Sequence, residues 1–409
     1  MNIVLLTDVS AAHVVRGTER MVREQALGLA HLGHQVSVIA RAPMGDGRPH
    51  VRIGEVDEWR FGVSGGNEVS FLLSSLHRSV EVFDRLASQA RPDIVLIHQA
   101  TAGLGPIMLR RSVPRTWAYL CHALAHEEYD LRAQEKQDPT SGIRRSANSQ
   151  GRYWAEHLVL SRCSRVIVLS DFMRDRVMGA HQVPLRRIWQ IPGAADPERF
   201  HPTSDRARVR RELGWPVDKT VLFTVRNLVP RMGVDHLIDA VGRLGEDADE
   251  VVLYVGGEGP LRGALAEQIE RQGLGSRVQL TGYVPENRLS LCYQAADLVV
   301  VPTAQQEGFG LVSVEALACQ TPVVGTPMGA LPEILRRIDL ALVTDGVDAD
   351  SLAEGLRRLL RRFAALPGEQ ERLARKGRLL VERELNWSHH IVNLESVLMG
   401  DMRQQRRAA

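Results

Sequence analysis

Two doubly wound α/β domains, facing one another across a cleft, are the fold class the sequence predicts. Three observations predict it. Short, continuously apolar runs alternate with stretches of helical spacing; the alternation occurs in two separate series; and a Pro- and Gly-rich stretch, IPGAADPERFHP (191–202), stands between them. Strands that are apolar at every position belong to parallel sheets covered on both faces, and strand–helix alternation builds such sheets. At 409 residues the chain is long enough for two or three domains, each with its own core.

In the first series, IVLL (3–6), VSVIA (36–40), DIVLIH (93–98), TWAYLCH (116–122) and RVIVLS (165–170) read as buried strands. The segment TERMVREQALGLAHL (18–32) has helical apolar spacing and stops at Gly33. Residues 125–152 are polar with little periodicity and read as a mobile loop with helix in its first part. The second series runs VLFTV (221–225), VVLYVG (251–256), VQLTG (278–282), DLVVVP (297–302) and PVVGT (322–326). Helical patterns at 233–244, 260–273, 286–296, 311–319 and 350–362 separate its strands. The last segment, NWSHHIVNLESVLMG (386–400), is amphipathic and suited to pack back across the join. The expected division is 1–197, 198–386 and a C-terminal helical segment, 387–409. Ligands of such folds bind outside the carboxyl ends of the strands.

Composition narrows the function. A hydrophobic content of 44% and a charged content of 24% are those of a soluble globular protein. The formal net charge of +2 gives no pull toward nucleic acid. Of 51 basic residues only Lys136, Lys219 and Lys376 are lysine. Anion recognition through Arg and a GC-rich coding sequence both produce that bias. Cys121, Cys163, Cys292 and Cys319 lack metal-ligand or redox spacing, so a reduced, cytoplasmic protein is expected. MNIVLLTDVS has neither the basic start nor the apolar length of a signal peptide. No stretch reaches the roughly eighteen apolar residues of a membrane span. Peripheral contact at the inner face of the membrane stays compatible with this.

The chemistry concentrates in EGFGLVSVEALACQTPVVGTP (307–327). Glu307 lies in a loop after a strand, Gly308 and Gly310 permit a tight turn, and a helix opens near Leu311. The first amides of a helix lack intrahelical partners and form an anion site worth roughly 0.3–2 kcal/mol per charge. Glu315, one turn in, leans back toward that end and suits a ribose diol. Glu307 suits a sugar hydroxyl on the far side of the phosphates. Taken alone, this acid pair is also what an ordinary surface helix would carry.

The pair with its GFG turn, followed by EALACQTPVVGTPMGALPEI, resembles the retaining glycosyltransferases of family 4, which have the two-domain GT-B fold. LTDVSAAHVVRGTERMVREQALGLAHLGHQVSVI, RPDIVLIH, TWAYLCH, RVIVLSDFMRD, IPGAADPERFHP, VRNLVPRMGVDHLIDAV, VGGEGPLR and LTGYVPE follow in the family's order. The resemblance implies that Glu307 contacts hexose hydroxyls and that the amides of Phe309, Gly310, Leu311 and Val312 hold a diphosphate. It implies that Glu315 binds ribose, that Tyr283 and Val284 frame the base, that His122 touches the transferred sugar, and that Gly17 approaches the diphosphate.

Other histidines and glycines weigh less. Cys121 and His122 are neighbours in a strand and point to opposite faces, so they form no thiol–imidazole dyad. His98 ends a neighbouring strand and reads as structural, though it could line the same cleft. His389 and His390 read as surface residues. VGGEGPLR (255–262) reads as a tight strand-to-helix turn with Pro260 at the first helical position.

Three departures stand out. Arg16 precedes Gly17 where the family has a Gly pair. The family's Arg and Lys, five residues apart, align with Asn227 and Met232. Arg226 and Arg231, each one residue earlier, keep that separation; Arg231, helped by Arg226, is expected to replace the pair, the other reading being that both are solvated loop charges. One preorganised electrostatic contact is worth about 2.7–4 kcal/mol, so at least one replacement cation is needed for turnover.

The expected activity is retaining transfer of a hexose from a nucleoside diphosphate sugar to an acceptor hydroxyl. No cofactor and no metal are expected. DAD (348–350) follows the site and reads as a helix start rather than a metal motif. UDP-glucose, UDP-N-acetylglucosamine and GDP-mannose all fit the donor pattern. The acceptor is not legible. Arg110, Arg111, Arg115, Arg144, Arg145 and Arg152 suit an anionic lipid head or phosphorylated acceptor, and equally scattered solvated charge. The second reading is a catalytically weak nucleotide-sugar-binding subunit or sensor. An epimerase or phosphorylase on the same fold is the third.

Overall fold

The computed structural model describes residues 1–13, 17–64, 68–109, 114–135, 142–245 and 250–400. They form two compact units: Met1–Pro192 joined by the segment from Trp387, and Gly193–Asn386.

The first unit is built on an eight-stranded sheet. In chain order it holds β1 (Asn2–Thr7), α1 (Gly17–His31), β2 (Gln35–Arg41), β3 (His50–Ile53), β4 (Val56–Phe61), α2 (Glu68–Gln89) and β5 (Ile94–Ile97). There follow α3 (Ala100–Leu109), β6 (Thr116–Cys121), α4 (Ala125–Glu135), α5 (Gly142–Arg162), β7 (Arg165–Val168), α6 (Asp171–His181) and β8 (Ile188–Gln190). The strand order is β3-β4-β2-β1-β5-β6-β7-β8, so the winding reverses between β1 and β5. All pairs are parallel except the β3–β4 hairpin at the edge. Apolar strand residues such as Leu6, Val95, Tyr119 and Val166 meet helical residues such as Phe83 and Val159 in the core.

The second unit has five parallel strands. It runs α7 (Arg206–Leu213), β9 (Thr220–Val225), α8 (Val234–Arg243), β10 (Val251–Gly256), α9 (Arg262–Arg271), β11 (Val278–Gly282) and α10 (Glu286–Ala295). It continues with β12 (Leu298–Val301), α11 (Leu311–Ala318), β13 (Val323–Gly325), α12 (Leu331–Leu335), α13 (Ala349–Ala365) and α14 (Glu369–Glu384). The order β11-β10-β9-β12-β13 reverses between β9 and β12. Asp348 caps α13 by accepting from the Ser351 amide at 2.9 Å, so DAD does start a helix.

The chain then returns to the first unit as α15 (Trp387–Met399). Ile391 of α15 lies so close to Gly28 of α1 that a Cβ there would sit 2.5 Å from it. His34 bonds Glu395 at 2.7 Å.

Several expectations need correction. The stretch 125–152 is largely helical: α4 covers its start, and α5 begins at Gly142. Residues 136–141 lie outside the described residues. Glu156 explains part of the order. This buried carboxylate accepts from the Tyr119 hydroxyl (2.7 Å) and the Ala125 amide (3.0 Å), and pairs with His181 (3.1 Å). It thereby pins the start of α4 to β6 and α6.

His390 is buried, not on the surface. Adjacent helical residues point about 100° apart, so His389 faces solvent while His390 bonds Gln25 at 2.8 Å and the Pro192 carbonyl at 2.6 Å. Pro260 precedes the helix instead of opening it, since α9 begins at Arg262. The β3–β4 hairpin escapes an apolar-run search because VDEWRF carries three charged residues, two of which, Glu58 and Arg60, are buried and paired with one another.

Candidate active site

Each sheet presents a cluster of polar side chains at the carboxyl ends of the strands flanking its switch point, where ligands of this architecture bind. In the second unit those strands are β9 and β12. Arg226 is the first residue after β9 and is buried. Thr303 and Glu307 follow β12. The Arg226 guanidinium bonds both the Thr303 hydroxyl and the Glu307 carboxylate, and Thr303 donates to Glu307 at 3.2 Å. Arg226 Nε is buried and has no partner among the described residues. A guanidinium N–H left unsatisfied there is a donor available to a ligand.

Backbone packing fixes this cluster. Gly257 has φ +119°, and a Cβ on it would lie 1.8 Å from the Arg226 carbonyl oxygen. The glycine-rich turn therefore braces the Arg226 loop, with Leu228 N–H bonding the Glu258 carbonyl at 2.9 Å. Gly329 plays the same part for Glu307: at φ +61° its Cβ would sit 2.1 Å from the Glu307 carbonyl oxygen. Ala330 N–H bonds that oxygen at 3.0 Å. The Arg231 carbonyl accepts from Ala304 (2.9 Å) and Gln305 (3.1 Å), tying the two loops together. Arg231 is part-buried, Asn227 exposed.

Helix α11 opens from Gly310 in the left-handed conformation (φ 83°), with no side chain among the described residues capping its amides. The Phe309 ring is buried against Gly193, so this residue offers its backbone rather than its side chain. Leu311 and Val312 are part-buried. Glu315 is buried, and its carboxylate accepts from the Tyr293 hydroxyl at 2.9 Å. Tyr283 is largely exposed, and Val284 packs over Gly256. Sequence reading missed Thr303, Gly329 and Tyr293. A Thr directly after an apolar strand and a Gly in MGALPE were the available signals.

In the first unit, His98 follows β5 and His122 follows β6, and the two rings meet: His98 Nδ1 lies 3.0 Å from His122 Nε2. Burial pushes the His122 ring down to about 4. It pushes His98 well below its usual value, with further lowering from His122 and His390. Burial also raises the pKa of Asp8, beyond β1, whose carboxylate accepts from the Thr101 hydroxyl. The Cys121 thiol, raised by burial, faces the Ala123 carbonyl and not His122. Gly17 opens α1 and is exposed.

Arg16, Arg110 and Arg111 lie outside the described residues. Arg145 donates to the Asp130 carbonyl at 2.8 Å, and Arg152 lies 4.0 Å over the Tyr129 ring. Among the described residues no helix is long and apolar enough to cross a membrane.

Comparison with known proteins adds the following. The profile of the glycosyl transferases group 1 matches residues 205–379, and that of Glycosyltransferase Family 4 matches residues 15–199. A D-inositol 3-phosphate glycosyltransferase of Corynebacterium jeikeium is 31% identical over 66% of this chain and 64% of its own length. One of Actinosynnema mirum is 28% identical over 88% of this chain and 86% of its own length. Sucrose-phosphate synthase of Thermosynechococcus elongatus superposes with a TM-score of 0.82 at 21% identity, covering 98% of both chains. Anabaena HepE, solved with UDP and glucose, gives 0.75 at 18% identity, covering 98% of this chain and 100% of that one. Two profiles that follow one another along the two units, and a fold shared from end to end, agree with the switch-point geometry: the chain belongs to the family 4 glycosyltransferases and has the GT-B fold.

Proposed function

We propose that this glycosyltransferase takes a hexose from a nucleoside diphosphate sugar and passes it to an acceptor hydroxyl with retention and without a metal. One observation carries the reading. An uncapped helix start and a buried guanidinium with an unspent Nε–H belong to the same switch point. A diphosphate is the ligand that both the helix dipole and a guanidinium favour.

The amides of Phe309, Gly310, Leu311 and Val312 hold the diphosphate. Tyr293 holds the Glu315 carboxylate in place for the ribose diol. Tyr283 and Val284 frame the base, with the exposed Asn227 flanking the site. Glu307, aimed by Arg226 and Thr303, takes hexose hydroxyls. Gly17 and His122 serve the diphosphate and the sugar from the first unit. Anabaena HepE binds UDP and glucose, which supports this class of donor.

In the transfer, the bond from the anomeric carbon to the diphosphate breaks first. The acceptor oxygen then attacks the same face, and its proton passes to the leaving phosphate oxygen. Arg231, with Arg226, stabilises the departing charge, worth about 2.7–4 kcal/mol per preorganised contact. That role is what a divalent cation performs in other transferases.

The second reading, a weak nucleotide-sugar-binding subunit, draws on Arg226 being committed to Glu307. A thermal-shift panel of UDP-glucose, UDP-N-acetylglucosamine and GDP-mannose, with and without chelator, identifies the donor. Hydrolysis of the stabilising donor to the retained anomer, undiminished by chelator, is the expected result. Saturable binding without hydrolysis or transfer would instead favour the second reading.

A further inference from the structure

We propose that His98 is a positioning residue: its contact with His122 fixes which imidazole nitrogen His122 offers to the transferred sugar. The inference rests on the reading of His122 given above and deepens it.

The geometry leaves few alternatives. His98 Nδ1 and His122 Nε2 are 3.0 Å apart, and the rings are stacked 5.3 Å between centroids at 24°. His98 is 1% exposed. Burial keeps both rings neutral at neutral pH. Two neutral imidazoles share one proton across such a bond, so one nitrogen donates and the other accepts. His122 Nε2 is therefore spent on His98. Nδ1 is the nitrogen that remains for substrate.

The direction of the bond follows from the far side of His98. Its Nε2 is buried with no partner among the described residues. If His122 donated, His98 would carry its own proton on that Nε2, giving a buried N–H with nothing to bind. If His98 donates from Nδ1, Nε2 is left with a lone pair. Orphaned buried N–H groups are the rarer of the two. His98 thus donates to His122 Nε2, and His122 presents an Nδ1–H. That group donates to a hydroxyl or ring oxygen of the sugar. It cannot act as a base. Backbone ties keep the pair in register: the His98 amide bonds the Leu6 carbonyl at 2.8 Å, and His122 directly follows β6.

The test uses the full chain. Imidazole nitrogen NMR of 15N-labelled wild type should show His122 protonated at Nδ1, and His98→Leu should shift it toward the Nε2–H form of free histidine. His98→Leu should lower kcat for hydrolysis of UDP-glucose, or of GDP-mannose if that is the donor turned over, by about tenfold to a hundredfold. Donor KM should stay within about twofold. His98→Asn, whose amide N–H reaches the same place as Nδ1–H, should recover kcat to within about threefold. A wild-type His122 carrying its proton on Nε2 overturns the proposal, and needs no variant to fold. So does His98→Leu at wild-type kcat, or His98→Asn as impaired as His98→Leu. His122→Ala separates the two levels. Full activity there sinks the reading of His122 and the proposal with it. Inactive His122→Ala beside fully active His98→Leu sinks the proposal alone.

Discussion

The two units solve one problem by different means. Both place their polar groups at a switch point, after β9 and β12 in one and after β1, β5 and β6 in the other. In the second unit the site joins backbone, at the α11 start and in two loops pressed against glycines, to the side chains of Arg226, Thr303, Glu307 and Glu315. In the first it is mostly side chains, buried at His98 and Glu58 and half-buried at His122, Asp8 and Thr101. Glu58 accepts from Ser10 at 2.6 Å and from the Ala12 amide at 3.1 Å, and so holds the turn that follows β1. A backbone site binds what every phosphate has in common. A side-chain site can differ between enzymes that share a donor.

Four measurements test the contrast. The largest effect is expected from Arg231→Ala, which removes a cation from the second unit. Turnover should fall about a hundredfold to a thousandfold with the denaturation midpoint nearly unchanged. Unchanged turnover would move phosphate stabilisation elsewhere. Next, Gly329→Ala puts a Cβ against the Glu307 carbonyl at a left-handed φ, which strains backbone rather than a flexible side chain. A loss of about 3 kcal/mol in urea unfolding, with impaired donor binding, is expected. Full stability would show that the loop gives way without cost.

A pH experiment probes the other unit. His390 has its folded pKa lowered to about 4 by burial, against an ordinary value near 6.5. The unfolded chain takes up a proton from about pH 6.5 downward, and the folded chain only near pH 4. Stability is therefore intact above that window and falls as pH drops through it. Between pH 7 and pH 5, His390 should account for about 2 kcal/mol, and His390→Gln should lose correspondingly less than wild type. Identical pH slopes would mean the ring is protonated when folded. The smallest effect belongs to Tyr293→Phe, which removes one hydrogen bond to Glu315. A destabilisation of about 1 kcal/mol and a few-fold rise in donor KM are expected. A change in kcat alone would contradict a role in ground-state ribose binding.

Legibility differed between the units for physical reasons. Strands β1, β9 and β10 were readable because buried parallel strands carry continuous apolar runs. Helix α11 was readable because its turn needs Gly310 and its run ends before Pro322. The β3–β4 hairpin, the helical content of 142–152 and the burial of His390 were not. Each depends on a surface supplied from elsewhere: β2 for the hairpin, Tyr119, Ala125 and His181 around Glu156 for α5, and Gln25 with Pro192 for His390. Arg226 shows the same division. Its presence beside Asn227 could be read from the chain, but its commitment to Glu307, 81 residues away, could not.

By itself, the sequence determined the two series of strands, the glycine-bounded turn before α11 and the residues available to a phosphate. Those features follow from local apolar periodicity and backbone sterics, which act over a few neighbouring residues. Only the tertiary structure decided that Arg226 meets Glu307 and Thr303, that His98 meets His122, and that His390 is buried while His389 is not. These pairings join residues from separate strands and helices. Burial and charge depend on what packs against a residue, and that is set only once both sheets have closed over their cores.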